Sequence, residues 1–155
     1  VRTRTVFDNA MPSGNGVMAE NLARLYYFTG DPKYQNQANI LINAAITKTP
    51  DQDANMASLM AGFEILTKGM QVIIISKFSE TTNLFRAVLS IGDPNLIVMR
   101  LSPNSILSST HPAFNKTQID EKPTAYVCHG QTCGHPHTEV KELLKDLNQD
   151  KLHNF

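Results

Sequence analysis

The chain has 155 residues, enough for one domain or two small lobes that bury a core without disulfide or metal staples. Its 14 basic and 14 acidic residues cancel, so the basic excess typical of proteins that bind nucleic acids or membrane surfaces is absent. No apolar run reaches the roughly 20 residues that span a bilayer, and no signal peptide opens the sequence, so we expect a cytoplasmic protein.

The first part of the sequence predicts a helical hairpin. Met18, Leu22 and Leu25 recur at helical spacing, and Gly30 marks the end of a first helix. Asp31 and Pro32 then provide the N-cap and first residue of a second helix, whose apolar face comprises Tyr34, Ala38, Leu41, Ile42 and Ala45. Two helices joined by so short a break form an αα-hairpin.

A third helix is predicted to follow. The segment Thr49-Pro50-Asp51-Gln52 has the pattern of a capping box, and Gly69 marks the end of the helix. Between residues 54 and 66 apolar side chains occur on every side, which is typical of a helix buried between others. Residues 1–69 therefore read as a helical segment. The sequence begins with Val1 inside what reads as a mid-domain loop, so we expect a piece of a longer protein.

Residues 70–155 predict a small α/β unit with a C-terminal helix. Residues 72–75 and 96–101 read as strands on either side of a helix near residues 81–90, which indicates a right-handed parallel βαβ unit. Residues 102–122 read as a long loop that is either functional or mobile, and residues 124–128 read as a third strand. The predicted fold class is α/β, mainly α, with a three-stranded parallel sheet.

Parallel strands would bring several polar residues to one edge of that sheet. Ser76, Lys77, Ser102, Cys128 and His129 follow the three predicted strands. Ligands of open α/β sheets bind outside these carboxyl ends, although the same residues also suit the polar loops of a purely structural sheet.

Positions 128–137 contain two Cys and three His residues, the highest density of reactive side chains in the sequence. Cys128 and Cys133 could form a redox-active disulfide, although four intervening residues differ from the two of thioredoxin-like motifs. With His135 and His137 they could bind zinc, but the usual second ligand pair lies a dozen or more residues away. The third reading, which we favour on chemistry alone, is a packed turn with no metal and no cofactor.

The opening loop at residues 7–16 is the other candidate site. Asp8 could act as a general acid or base, and its small and amide neighbours Asn9, Ser13 and Asn15 could bind a ligand. The same residues also suit helix caps and Asx turns, which is the reading favoured by the residue types alone.

Three stretches together resemble one family. They are Asp8-Asn9-Ala10-Met11-Pro12-Ser13-Gly14-Asn15, Leu22-x-x-Leu25 with Thr29-Gly30-Asp31, and Ala125-Tyr126-Val127-Cys128 with Cys133 and Pro136. In this order they resemble the C-terminal part of the spermatogenesis-associated, thioredoxin-domain-containing proteins. Gly16 stands where similar sequences often have serine, so this chain has no side-chain hydroxyl at that position.

The resemblance implies a parent protein with an N-terminal thioredoxin-like domain and an (α/α)6 barrel similar to N-acylglucosamine 2-epimerases and six-hairpin glycosidases. This chain would supply the last barrel hairpins and an α/β appendage. The opening loop would lie at the barrel mouth, which makes Asp8, Asn9, Ser13 and Asn15 candidates for contact with a sugar-like ligand.

We therefore expect the parent to be a carbohydrate-related enzyme and this chain to be its structural closing segment, inactive alone. The alternative is a redox-linked interaction module in which Cys128 and Cys133 act on a thioredoxin-like domain or a client protein. The expected partners are the rest of the parent chain and a small sugar-like ligand, with neither nucleic acid nor membrane. Apolar helix faces that lack their neighbours also predict self-association.

Overall fold

The structure is a computed structural model that describes residues 6–47, 55–77 and 82–153, with side chains described as far as residue 148. The chain divides into two compact units, Val1–Lys68 and Gly69–Phe155. Within the described ranges, no helix combines the length and apolar character needed to cross a membrane.

The first unit consists of three helices, α1 (Gly14–Thr29), α2 (Pro32–Ile46) and α3 (Ala57–Lys68). The predicted boundary between α1 and α2 is confirmed. Gly30 adopts a left-handed conformation with φ of 67° and donates its N–H to the Tyr26 carbonyl. The Asp31 carboxylate accepts from the Lys33 N–H, and Pro32 opens α2. The capping box predicted at residues 49–52 lies outside the described residues.

The three helices share a core rich in small side chains. On α1, Ala19 and Ala23 are fully buried beside Tyr26 and Tyr27. Gly62 of α3 packs directly against α1, because a Cβ built at this position would lie 2.8 Å from the Glu20 backbone nitrogen. Small residues therefore allow α1 and α3 to approach closely, while each fully buried Leu or Ile contributes about 1.5–3 kcal/mol.

The second unit is a four-stranded sheet with two helices. Its elements in chain order are β1 (Met70–Ile75), α4 (Asn83–Leu89), β2 (Leu96–Leu101), β3 (Thr124–His129), β4 (Thr132–His137) and α5 (Val140–His153). The strand order is β2-β1-β3-β4. The segment from β1 through α4 to β2 is a parallel βαβ unit, as predicted, with Met70 opposite Leu96 and Ile75 opposite Leu101.

The predicted three-stranded parallel sheet is wrong. β3 runs antiparallel to β1, with Thr124 opposite Ile75 and His129 opposite Met70. A parallel third strand needs a crossover, usually a helix, that returns the chain to the other edge of the sheet. Residues 102–123 contain no helix, and β3 begins at the edge where β1 and β2 end. The prediction treated three β-like segments as equivalent and ignored the absence of a crossover helix.

β4 was missed because its residues have low strand propensity. Thr132–His137 contains Gly134 and Pro136 and was read as a turn. Gly130, with φ of 55°, and Gln131 form the two-residue connection of a β3–β4 hairpin. Proline is tolerated here because β4 is an edge strand.

The two faces of the sheet are covered differently. Helices α4 and α5 pack over the face that contains Val72, Ile74 and Val127. The opposite face contains Ile73, Ile75, Leu101, Tyr126 and Cys128, and residues of the long loop pack against it.

This long loop is anchored to the sheet. His111 is only 2% exposed and accepts from the Ala113 N–H through Nδ1. The Tyr126 hydroxyl donates to the Thr117 carbonyl over 2.7 Å. The Tyr126 hydrogen bond ties the loop to the sheet, and the His111 hydrogen bond fixes a turn within the loop.

Candidate functional site

Asp8 connects the opening loop to α1 and α3. Its Oδ1 accepts from the Ser13 N–H over 2.7 Å and from the Ser58 hydroxyl over 2.5 Å. Its Oδ2 accepts from the Ser58 N–H over 2.7 Å. The Asp8 N–H donates to the Asn55 carbonyl over 2.8 Å, just before α3 begins. Asp8 is thus a remote N-cap of α3, where a carboxylate also matches the helix dipole.

These contacts lower the pKa of Asp8 below its ordinary value. The largest cause is the hydrogen bond from the Ser58 hydroxyl, followed by those from the Ser58 and Ser13 backbone N–H groups. Each of these donors stabilises the charged carboxylate. Asp8 is therefore ionised at neutral pH, and both of its oxygens are engaged, so the geometry suits a structural anion better than a general acid.

The other predicted loop residues have different surroundings. Ser13 is 3% exposed and its Oγ accepts from the Gly16 N–H over 3.0 Å, which makes it the N-cap of α1. Asn9 is exposed, and Asn15 is partly exposed in the first turn of α1. The structure therefore brings Asp8 and Ser13 together and leaves the asparagines nearer the surface.

Ser58 is the site residue that the sequence analysis missed. Its Oγ lies 3.4 Å from the Ser13 Oγ, and a Cβ built on Gly16 would lie 1.8 Å from the same Ser58 Oγ. Position 16 therefore has no room for a serine side chain, since its Cβ would also lie 2.6 Å from the Ser58 Cβ and 2.9 Å from the Leu59 backbone nitrogen. A polar residue near the start of an apolar helix was the available signal, but nothing in the sequence linked it to a loop 50 residues earlier.

Cys128 and Cys133 form a disulfide between paired positions of β3 and β4. Their Cα atoms lie 3.9 Å apart, and the bond closes over the hairpin turn. Cys128 is fully buried, whereas Cys133 is partly exposed, with its Sγ 3.5 Å from the Pro112 carbonyl oxygen. The sulfurs are bonded to each other, so in this state neither is a thiolate that can bind zinc.

The two histidines that were predicted as weak zinc ligands are not gathered around the cysteines. His137 Nε2 lies 2.8 Å from Oδ2 of Asp146 on α5, and His135 is exposed. Among the described residues, no group of three or more His, Cys, Asp or Glu side chains is positioned to hold a metal ion.

Only some of the polar residues that were predicted to share one edge of the sheet lie there. Ile75 and Leu101 end β1 and β2 at one edge, so Ser76, Lys77 and Ser102 follow there. Cys128 and His129 lie at the other edge, opposite Gln71 and Met70, because β3 is antiparallel. The prediction that Cys128 and His129 share this edge is therefore wrong.

Comparison with known proteins identifies one kind of relative. The chain is 30% identical to spermatogenesis-associated protein 20 of Homo sapiens over 147 residues, which cover 91% of this chain and 19% of that protein. Identity to the Mus musculus and Rattus norvegicus proteins of the same name is 30% and 29% over 148 residues, again covering 19% of each. No protein-family model matches the chain.

The chain therefore spans about a fifth of the length of the curated relatives that it matches. This homology supports the family predicted from the sequence motifs. It gives no information about a thioredoxin-like domain or an epimerase-like barrel, which stay predictions.

Proposed function

We propose, from the homology to spermatogenesis-associated protein 20, that this chain is the C-terminal part of a longer protein and that its helical unit closes an α/α array. In this proposal α1, α2 and α3 form the last hairpins of the array, and Asp8 links the opening loop to the start of α3. The observation that carries the proposal is a second apolar face on α1.

This second face is a stripe of exposed apolar side chains, here called the outer stripe. It consists of Val17, Met18, Leu25 and Phe28, which are 39–51% exposed. Their spacing places them on one side of α1, opposite the buried Ala19, Ala23 and Tyr26. Helix α1 therefore has apolar side chains on two sides, with the exposed Asn21 among those of the outer stripe, and apolar residues on two sides are typical of a helix packed between neighbours.

Burial of the outer stripe by a neighbouring helix would stabilise the protein. Burial of apolar surface contributes roughly 25 cal/mol per Å², and contiguous apolar patches on proteins commonly mark interaction sites. The relatives are about five times longer than this chain, so a longer protein would have ample sequence to provide covering helices. The (α/α)6 barrel implied by the resemblance would place a neighbouring helix on each side of α1.

A carbohydrate-related activity of the longer protein is part of this proposal. Asp8 and Ser13 are engaged in capping, which favours a supporting role for both residues. The exposed Asn9 and the partly exposed Asn15 are then the candidates for contact with a sugar-like ligand at the mouth of the array. The chain alone would lack most of such a cavity and would be inactive.

Self-association of the chain tests the role of the outer stripe. We expect the 155-residue chain to form concentration-dependent oligomers in sedimentation velocity, because its stripe has no covering helix. Met18→Lys combined with Leu25→Lys should give a monomer, whereas Gln37→Lys with Asn39→Lys, two exposed positions on α2, should not. A wild-type chain that stays monomeric at high concentration would contradict the proposal that the outer stripe packs against another helix.

The disulfide favours a second candidate function, a redox-linked interaction module. Cys133 is the accessible sulfur, so a thiolate of a partner dithiol protein would attack its Sγ and release Cys128 as the leaving thiolate. The second partner thiolate would then resolve the mixed disulfide. This chain would gain two electrons and two protons, and the partner would leave oxidised. In a cytoplasmic protein such a disulfide would be transient and redox-responsive.

A thiol titration separates this candidate from a static disulfide. No thiol should react in the native or the unfolded chain before a reductant is added. For a redox module, dithiothreitol should release two thiols from the native chain as fast as from the chain unfolded in urea. Release only after unfolding would contradict the redox role and leave the disulfide as a structural link.

A further inference from the structure

A cavity of about 280 Å³ lies within the second unit, where β1 and β2 end beneath the long loop. Its apolar wall includes Ile75 and Leu101, the last residues of the two strands, together with Leu107 and Ala113 from the loop. Because β1 and β2 are parallel, their carboxyl ends meet at one edge, which is where open α/β sheets bind ligands.

The loop that covers this cavity is held in a defined shape. Thr117 is fixed by the Tyr126 hydroxyl, and Ala113 by the buried His111 ring. Between them, Asn115 has φ of 62°, in the left-handed region that non-glycine residues seldom adopt. A wall held by one hydrogen bond to the sheet and another within the loop gives a preformed pocket, as small-molecule sites usually have.

The rim of the cavity is polar and contains a charged side chain. Ser102, Ser105, Asn115 and Thr117 offer hydroxyl and amide groups, and among the described residues of the lining Lys116 alone is ionisable. The Lys116 Nζ lies 5.4 Å from the centroid of the Tyr126 ring, which favours a position close to the sheet. Within the described part of the chain, no carboxylate lies within ion-pair distance of Lys116.

We propose that this cavity binds a small anion with a short apolar body. Lys116 pairs with the anionic group, hydroxyls of the rim donate hydrogen bonds to it, and the apolar body packs on Ile75, Leu101 and Leu107. The volume lies near the lower end of the range for ligand pockets and restricts the occupant to a short chain. The site uses neither the outer stripe nor the disulfide, so it stands independently of the proposed function.

Titration of the wild-type chain with short amphiphiles tests this site without any substitution. Hexanoate and hexyl phosphate are the anionic probes, and hexan-1-ol is the uncharged one. In amide NMR spectra we expect hexanoate or hexyl phosphate to shift resonances of Leu101, Ser102 and Lys116 with millimolar affinity. Hexan-1-ol should bind several-fold more weakly, and the tighter of the two anions identifies a carboxylate or a phosphate ligand.

Two lysine variants test whether Lys116 provides the positive charge that binds the anion. Lys116→Gln should weaken the binding of the preferred anion about three- to five-fold and leave hexan-1-ol unaffected, since only the anion loses a partner. Lys122→Gln, an exposed position on the same loop outside the lining, should bind like wild type. Absence of shifts at the lining residues, or equal binding of hexan-1-ol and both anions, would overturn the proposal.

Discussion

Cys133 and His137 are four positions apart on β4, and yet their side chains lie on opposite faces of the sheet. Cys133 pairs with Cys128 on the face covered by the long loop, whereas His137 contacts Asp146 on α5. Strict alternation would place both on one face. The register shifts between Cys128 and Tyr126, so a β-bulge near Gly134 adds one residue and reverses the side-chain direction beyond it.

This bulge separates two kinds of chemistry that are adjacent in the sequence. The disulfide lies with Tyr126 and Ile73 beneath the loop, and the His137–Asp146 contact links the hairpin to the helix. The histidine is therefore not positioned to activate a cysteine, nor to complete a four-ligand zinc site with both sulfurs. What reads as one dense cluster in the sequence is divided between two faces.

The capping role of Asp8 predicts a stability loss when its charge is removed. Asp8→Asn should lower the free energy of unfolding of the helical unit by about 1–2 kcal/mol, because the charge-assisted hydrogen bonds from Ser58 and Ser13 weaken. Urea unfolding followed by circular dichroism measures the change. Asn9→Ala, at the exposed neighbouring position, should match the wild type.

The lowered pKa of Asp8 also predicts its effect on acid stability. A carboxyl group whose folded pKa is depressed stabilises the protein above its unfolded pKa, and this contribution is lost as pH falls through the folded value. The difference in unfolding free energy between wild type and Asp8→Asn should therefore shrink below pH 3.8. A difference that stays constant down to pH 2 would contradict the assignment.

The close contact between α1 and α3 predicts that alanine substitutions at three glycines differ in their effect on stability. Gly62→Ala should destabilise the unit by about 1–3 kcal/mol, because the new methyl meets backbone atoms of α1. Gly16→Ala should also destabilise it, since the methyl displaces the Ser58 side chain from Asp8. Gly14→Ala has open space and should be neutral or slightly stabilising. Thermal unfolding ranks the three variants, and equal midpoints would contradict the close packing.

Tyr27 predicts a loss of stability in alkaline solution. Burial, with a smaller contribution from Tyr26, raises the pKa of Tyr27 from 10.0 to about 12. Between these values the unfolded chain releases a proton that the folded chain keeps, so the free energy of unfolding falls by up to about 1.4 kcal/mol per pH unit. Tyr27→Phe should reduce this slope in urea titrations above pH 10, and an unchanged slope would exclude Tyr27 as its source.

Reduction of the disulfide predicts a measurable but limited destabilisation of the second unit. A bond that closes so short a loop contributes roughly 2 kcal/mol through the unfolded chain. Reduced wild type and Cys133→Ala should therefore unfold at similarly lower urea concentrations, and the oxidised wild type at a higher one. If reduction leaves the midpoint unchanged, the bond does not constrain the hairpin.

The helical unit could be predicted from the sequence where local chemistry decides the structure. Gly30, Asp31 and Pro32 each act through their own backbone geometry, and their positions at the break between α1 and α2 were predicted correctly. The role of Asp8 could not be predicted, because its main partner is Ser58 on α3, 50 residues later in the sequence. A residue that caps its own helix leaves a sequence signature, whereas a remote cap leaves none.

The sheet was less predictable because its topology depends on long-range pairing. The parallel arrangement of β1 and β2 followed from the helix between them, but the direction of β3 depends on where a loop of more than 20 residues returns. β4 has few residues that favour strands, and β3 pairs with it across a two-residue turn. The disulfide follows from that register, so cysteine spacing alone left three readings open.

Chemical labelling of the outer stripe, in the chain alone and in a longer protein, tests the central claim most directly. A cysteine introduced at position 18 (Met18→Cys) should react rapidly with a maleimide in the 155-residue chain carrying the stripe-breaking Leu25→Lys, because the monomer exposes it. In a full-length protein without Leu25→Lys it should react many-fold more slowly, while Gln37→Cys on α2 should react rapidly in both. Protection of position 18 alone is the predicted result. Equal, rapid labelling at both positions in the full-length protein would contradict the assignment of this chain as the closing segment of a helical array.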